Sequence, residues 1–424
     1  MKKVLCALLC ACVVAGYSLA AVAGEKVTVT FAAIKMYTED PMKPLIDQYE
    51  KDNPHVTINF IQLPSPNNST EIHQWLVTNL GSNAGDVDVV TADCIWFPEF
   101  ASAGWLLDVS KYYTDAEKAE HFKGTVDTVT YRGKMYGAPW YVDGGLLYYR
   151  SDLLEKHGVK PPRTWPELVA AADKIVKAEN NPRLNGFLYQ AKQAEVLVCD
   201  LVEFLGSQGA VLDQNGDVVI NNEYGKRTAR LMHDLIFKHK LSPREVNTFD
   251  EEPSRTVFTD GNAVFLRNWT YVWNVAQNPD NSSVVGKVGI VPMPAFEGAK
   301  SASCLGGYQW AVSANTKNPD EAVKFAKFLS SYNSQKHFAK MLSLAPTRPA
   351  VFDDAEIKAI NPFLVELKDV FTGSTPRPIT PLYPDVSLAL QSSFSRICST
   401  ENIDIDKELD NLAAEIKQIN SLLD

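Results

Sequence analysis

Apolar and polar residues alternate at Val27, Val29 and Phe31, a period of two that predicts a half-buried strand. The spacing then changes: Leu45, Ile46 and Tyr49 recur as on one face of a helix, Asn53-Pro54 ends it, and alternation returns at Val56, Ile58 and Phe60. Strand, helix and strand in that order make a βαβ opening. Because helices and strands go on alternating, the chain reads as α/β. The valine-rich run Val87 to Val90 predicts a buried parallel strand leading straight to Asp93. Ligands of open α/β sheets gather beyond the carboxyl ends of strands, which makes Asp93 a first candidate binding group.

Three later patterns predict helices. Thr164-Trp165-Pro166-Glu167 is a capping box, in which the threonine hydroxyl accepts from the Glu167 amide while the glutamate side chain reaches back. The helix it opens carries Leu168, Ala171, Ala172, Ile175 and Val176 on one face. Asn318-Pro319-Asp320-Glu321 repeats the start signal, with proline at the first helical position and Ala322, Phe325, Ala326 and Leu329 as the apolar stripe. At the C-terminus Ile405, Leu409, Leu412, Ile416, Ile419 and Leu423 recur at spacings of four and three, an amphipathic helix suited to packing on a lobe.

With 424 residues the chain exceeds the size at which single cores stop growing, so two lobes are expected. The N-terminus has to be set aside first. Lys2 and Lys3, the apolar Val4 to Ala15 and the A-x-A site Ala21-Val22-Ala23 form a signal peptide over residues 1–23, implying export to a periplasmic or extracellular location. Leu9-Cys10-Ala11-Cys12 offers the alternative of a lipid anchor on Cys12, but a cysteine at the second lipobox position and the short apolar run before it fit simple cleavage better. Cleavage removes Lys2 and Lys3 and no acid, which takes the formal charge from −10 to −12. So acidic a chain is poorly matched to nucleic-acid backbones or anionic lipid, and a neutral or cationic ligand suits it.

Cys94, Cys199, Cys304 and Cys398 survive processing and are too widely spaced for a zinc pattern. Their state stays open between three complete pairings and buried free thiols. If Cys94 and Cys199 fall in different lobes, a bond between them would resist hinge motion. No P-loop, dinucleotide-binding glycine motif, HExxH or GxSxG occurs, and no cofactor or metal is expected. Asp213, Asn215 and Asp217 begin a calcium-like loop, yet Val218 stands where glycine is needed and Tyr224 where a bidentate glutamate belongs, so a polar turn is expected. His233 and His239, in a charged helix-like stretch, read as surface residues.

Aromatic and planar polar residues remain. Trp96, Trp140, Tyr141, Trp269, Trp273, Tyr308, Trp310 and Tyr383 lie in sequence beside Asp93, Asp143, Asn268 and Arg377. A pyranose offers an apolar C–H face to a ring and a fringe of hydroxyls to carboxylates and guanidinium, so the set as a whole points to sugar. Gly137–Leu168 places two aromatics and Asp143 on a glycine-flexed crossing between structural halves, a hinge carrying part of that chemistry.

Five blocks in order carry a family resemblance: DVDVVTADCIWFPEFASAGWL (86–106), GAPWYVDGGLLYYRSDLL (137–154), EEPSRTVFTDGNAVFLRNWTYVW (251–273), LGGYQWAVSA (305–314) and TPRPITPLYPDVS (375–387). From about Val27 onward the chain resembles the trehalose/maltose-binding members of the ABC-transporter solute-binding proteins. The resemblance implies a two-lobed periplasmic-binding-protein fold with a hinge and an interlobe cleft. Lobe I would be residues 24–140 plus 307–335, and lobe II 141–306 plus 336–424. It implies that Asp93, Asp143 and Arg377 hold hydroxyls, that Trp269 and Tyr308 stack, that Tyr141 lines the cleft, and that Gly307 lets backbone approach the ligand, with Glu39 a further candidate. The ligand would be a neutral oligosaccharide or disaccharide such as trehalose or maltose, bound by a monomer and delivered to the transmembrane permease of an ABC importer. Two positions depart from the family pattern: Tyr308 replaces the tryptophan of LGGW, and Glu71-Ile72-His73-Gln74 lacks the basic ligand expected there. The residues alone leave two rivals, a secreted glycoside hydrolase using Asp93 and Asp143, and a peptide or polyamine binder of the same architecture.

Overall fold

The computed structural model describes residues 26–36, 40–82, 84–214 and 217–423. The signal peptide, Cys12, Glu39 and Asn215 lie outside the described residues. Two separate hydrophobic cores organise the chain. One gathers Val29, Phe31, Val90, Phe97, Trp140, Trp310 and Phe325, the other Leu147, Trp165, Phe187, Phe204, Phe265 and Leu390.

The first core lies against a five-stranded sheet ordered Val56–Leu63, Val27–Ile34, Val89–Asp93, Tyr308–Val312, Gly137–Ala138. The first three strands are parallel, as the βαβ pattern requires, with helix Met42–Asp52 burying Leu45, Ile46 and Tyr49. The fourth runs antiparallel to the third in a register that sets Tyr308 opposite Asp93. That pairing brings together residues 215 positions apart in sequence at the carboxyl end of the Asp93 strand. Trp140 stacks on Trp310 with centroids 4.0 Å apart and planes 22° apart, and Phe338 closes on both. Such a ring pair adds about 0.5–1.5 kcal/mol beyond its burial. These two tryptophans are therefore core, not sugar platforms.

The second core lies against a four-stranded sheet ordered Val288–Pro292, Leu146–Arg150, Ala263–Asn268, Asn185–Leu188. Helix Trp165–Glu179 covers it, opened by the expected capping box at Thr164 and Glu167 and closed by Asn180 in the left-handed conformation, φ 46°. Its buried face is Trp165, Leu168, Ala171, Ala172 and Ile175. The C-terminal helix Ile405–Asn420 buries Leu409, Leu412 and Ile416 and packs on helix Tyr383–Ser399. Helix Pro319–Leu329 begins with its proline at the first position, but Asn318 makes no capping bond; its side chain donates to the Thr28 carbonyl at 3.5 Å. Asp213–Gln214 and Asp217–Val218 pair as a small antiparallel ladder. His239 is exposed, and half-buried His233 bonds the Glu401 carbonyl.

Several chain passages join the cores. Tyr141 packs in the first and Val142 in the second, and Tyr141–Val142 pairs antiparallel with Ala345–Pro346. The amide of Asp143 donates to the Gly306 carbonyl at 3.1 Å and Gly306 returns the bond at 3.0 Å. Leu305 donates to the Thr375 carbonyl at 2.7 Å, which draws a third stretch into the bundle. Helix Tyr332–Leu342 serves both cores, Phe338 and Leu342 facing the first and Ala339 the second. The four cysteines among the described residues are free thiols, Cys94 against the first core and Cys199, Cys304 and Cys398 within the second.

Candidate functional site

A cleft lies where these passages meet. Asp93, Tyr141, Asp143, Trp269, Gly307, Tyr308 and Arg377 all line it. Strand ends and register explain the convergence. Asp93 and Tyr308 come from the paired ends of the first sheet, Tyr141 and Asp143 from the crossing, and Trp269 follows the end of strand Ala263–Asn268, whose Asn268 pairs with Leu146 just past the crossing. Trp96 reaches the site only as an edge contact to Tyr308, with centroids 5.8 Å apart, while Trp273 packs on Phe363.

Trp269 is held on several sides. The Arg267 guanidinium lies 4.1 Å from its ring centroid, its indole Nε1 donates to Glu251 Oε1 at 3.3 Å, and a Cβ at Gly306 would stand 3.1 Å from the ring. Arg267 is wholly buried; its Nε donates to Glu203 Oε2 at 2.8 Å and lies 2.8 Å from Asp200 Oδ1, and a second short bond joins it to Glu203. The ring is thus a rigid platform that remains half-buried rather than covered.

The acids are arranged as acceptors. Asp93 Oδ1 accepts from the Ile95 amide at 3.2 Å and from Arg377 Nη2 at 2.9 Å. Asp143 Oδ1 accepts from the amides of Gly144 at 2.9 Å and Thr270 at 3.2 Å. Burial pushes the Asp143 acid up to about 6, and those two amides limit the rise. Burial, reinforced by Asp143 for Tyr141 and by Asp93 for Tyr308, holds both phenols well above their ordinary range, so they stay neutral donors. Four acidic side chains, Asp93, Asp143, Glu195 and Glu251, line the cleft against one lining cation, Arg377, and even with Asp143 and Glu251 neutral the acids outnumber it. This balance disfavours anions.

Arg377, expected to hold hydroxyls, lines the cleft with its terminal nitrogens engaged by Asp93 and Glu195 and its buried Nε without a hydrogen-bond partner among the described residues. It is 3% exposed, and beyond Asp93 its Nη1 donates to Glu195 Oε1 at 2.8 Å, while Glu195 also bonds Tyr383 and Ser387. Arg377 therefore ties a strand end of the first sheet to a helix of the second. Tyr383 is buried behind it and serves that network.

Gly307 sits at φ 114°, and a Cβ there would stand 2.4 Å from the Tyr141 carbonyl oxygen. Both the dihedral and the close approach require glycine. Gly307→Ala is expected to lose about 1–3 kcal/mol of stability, read as a lower melting temperature; an unchanged melting temperature would refute this account of the crossing.

Asn67, Ser69, Glu195, Glu251 and Tyr271, none of them a candidate from sequence, also line the cleft. Tyr271, two residues beyond Trp269 in the same block, carried a usable signal. Asn67 lies in the short turn Pro66–Asn68 and Ser69 opens the helix Ser69–Gly81 after it, near the place where a basic ligand was expected, whereas His73 turns to Glu99 at 2.7 Å.

The sequence model for bacterial extracellular solute-binding proteins matches residues 37–336. The chain belongs to that family. Among curated relatives, this solute-binding protein is 36% identical over 393 residues to a "probable ABC transporter-binding protein" of Deinococcus radiodurans, covering 90% of this chain and 91% of the relative. Among solved structures it is similar to the maltose-bound MalE3 of T. maritima, with a TM-score of 0.86 and 37% identity over 93% of this chain and all of that one. A Thermotoga lettingae solute-binding protein bound with α-D-tagatose shares the fold at a TM-score of 0.81 and 24% identity, over 92% of this chain and 99% of that one. The two-lobed α/β architecture is thus that of the family. Its members act outside the cytoplasm, and no helix among the described residues is long and apolar enough to cross a membrane.

Proposed function

We propose that this solute-binding protein holds a neutral disaccharide of the maltose or trehalose class between its lobes and delivers it to the permease of an ABC importer. The observation that carries this reading is the Trp269 ring, backed by Arg267 and facing a cleft whose polar walls are Asp93, Asp143, Tyr141 and Tyr308. A flat ring takes the sugar's C–H face, and the carboxylates accept from its hydroxyls. Similarity to a maltose-bound protein at 37% identity supports the choice of sugar. Export by the signal peptide over residues 1–23, a monomeric state and the lobe limits given above belong to the same proposal. Ligand bridging both lobes would favour the closed form by its differential affinity for it.

Thermal-shift titration with mono- and disaccharides tests the reading. A sugar at about 100 times its dissociation constant should add about 2.7 kcal/mol of stability. Sugar recovered intact supports a binder; glucose released at catalytic rates would favour hydrolysis, and no shift with any sugar would favour a peptide or polyamine ligand.

A further inference from the structure

Glu251 opens helix Glu251–Thr259 and projects into the cleft wall beside Trp269. Its backbone is pinned: the carbonyl accepts from Asn268 Nδ2 at 3.1 Å and from the Ser254 hydroxyl at 2.9 Å. The next residue turns away, Glu252 Oε1 accepting from the Tyr271 hydroxyl at 2.6 Å. The side chain of Glu251 is 7% exposed, with Oε1 bonded to the Trp269 indole, while Oε2 is buried with no hydrogen-bond partner in the protein. A buried carboxyl oxygen left unpaired costs free energy that a bound hydroxyl would restore.

We propose that Glu251 is a further ligand-contacting residue of this cleft, its free Oε2 meeting a hydroxyl of the sugar ring stacked on Trp269, and that it binds as the neutral carboxyl. The inference rests on the sugar-binding reading above. A neutral carboxyl supplies a donor and an acceptor on one side chain, the pattern that matches a hydroxyl.

The surroundings favour that form. Burial pushes the Glu251 acid up to about 7, and Asp250 pushes the same way; its own amide, the Trp269 indole and Arg267 act against the rise. The Arg267 charge is already engaged by Asp200 and Glu203, and Asp250 pairs with Lys192 at 2.6 Å. Tyr271 and Tyr308, which also face Glu251, are kept neutral by burial. The neutral carboxyl is therefore present below pH about 7 and lost as the pH rises through it, so affinity should fall as the pH rises.

Calorimetric titration of the full protein with maltose and with trehalose, at pH 6 and pH 8, tests the proposal. The Glu251 part of the wild-type pH dependence should weaken binding about tenfold from pH 6 to pH 8, the fall in its neutral fraction over that interval. Glu251→Gln keeps an acceptor for the indole and a donor for the sugar; it should bind within about threefold of wild type at pH 6 and lose the Glu251 part of the pH dependence. Asp143 titrates in both proteins, so the difference between their profiles isolates Glu251. Glu251→Ala should lose about tenfold in affinity at pH 6. Identical pH profiles for wild type and Glu251→Gln, or undiminished binding by Glu251→Ala, would overturn the inference and leave the sugar-binding reading standing. Wild type binding neither sugar would overturn both. Proton uptake on binding at pH 8, larger in wild type than in Glu251→Gln, is a second readout in the intact protein, and equal uptake counts against the proposal.

Discussion

Arg267→Ala is expected to lose about 3–5 kcal/mol of folding stability, the penalty for removing one partner of a buried ion cluster. Asp200 and Glu203 are both wholly buried, and without the guanidinium they face no cation at hydrogen-bond distance among the described residues. Glu203 also accepts from the Cys304 amide at 3.3 Å, so the damage reaches the passage that leads to Gly306. The loss should depend on pH with a definite sign. Buried acids deprived of their cation have raised pKa values in the folded state, which leaves stability present at low pH and removes it as the pH rises. Denaturant unfolding at pH 5 and pH 8 should thus show the larger deficit at pH 8. A deficit below about 1 kcal/mol at both would mean that the cluster contributes no more than a surface pair.

Trp269→Ala is expected to abolish sugar-induced thermal stabilisation. Truncating a central aromatic anchor costs about 2–4 kcal/mol of binding, roughly 30-fold or more in affinity. Folding should suffer less, because the ring is half-buried and the Arg267 cluster beneath it stays intact. Trp269→Phe should recover part of the binding through its smaller face. The measurement is the melting temperature with and without sugar; undiminished stabilisation in the alanine variant would remove Trp269 from the binding site.

These two residues show how differently parts of the site could be read beforehand. Trp269 is legible because it belongs to the aromatic set, stands beside Asn268 and falls in a block that carries the family resemblance. Arg267, two positions earlier, carried no sign that its charge would be spent under that ring. Its partners lie on helix Glu195–Gly206, whose near-continuous apolar run Val196 to Leu205 is interrupted by Asp200 and Glu203. A buried helix bearing acids implies a buried cation, but sequence does not say which of the chain's basic residues it is.

The chain's own pattern determined the βαβ opening, the capping box at Thr164, the amphipathic C-terminal helix and the strand leading to Asp93, because these depend on periodicity and on contacts within a few residues. It also determined the acidic balance and, through five blocks in order, the family. The resemblance marked Tyr141, Trp269 and Tyr308 for the cleft, and tertiary structure alone decided that Trp140, Trp273 and Trp310 pack elsewhere. Trp140 and Tyr141 are neighbours, yet one stacks in the core and the other lines the site, since successive side chains of an extended segment point to opposite sides. It alone decided that Arg377 is bound between Asp93 and Glu195, and that Glu251 stands beside Trp269 with one oxygen free. Each of these depends on contacts between residues far apart in the chain, set by strand register and by the passages between two cores, and local sequence does not encode that geometry in any readable pattern.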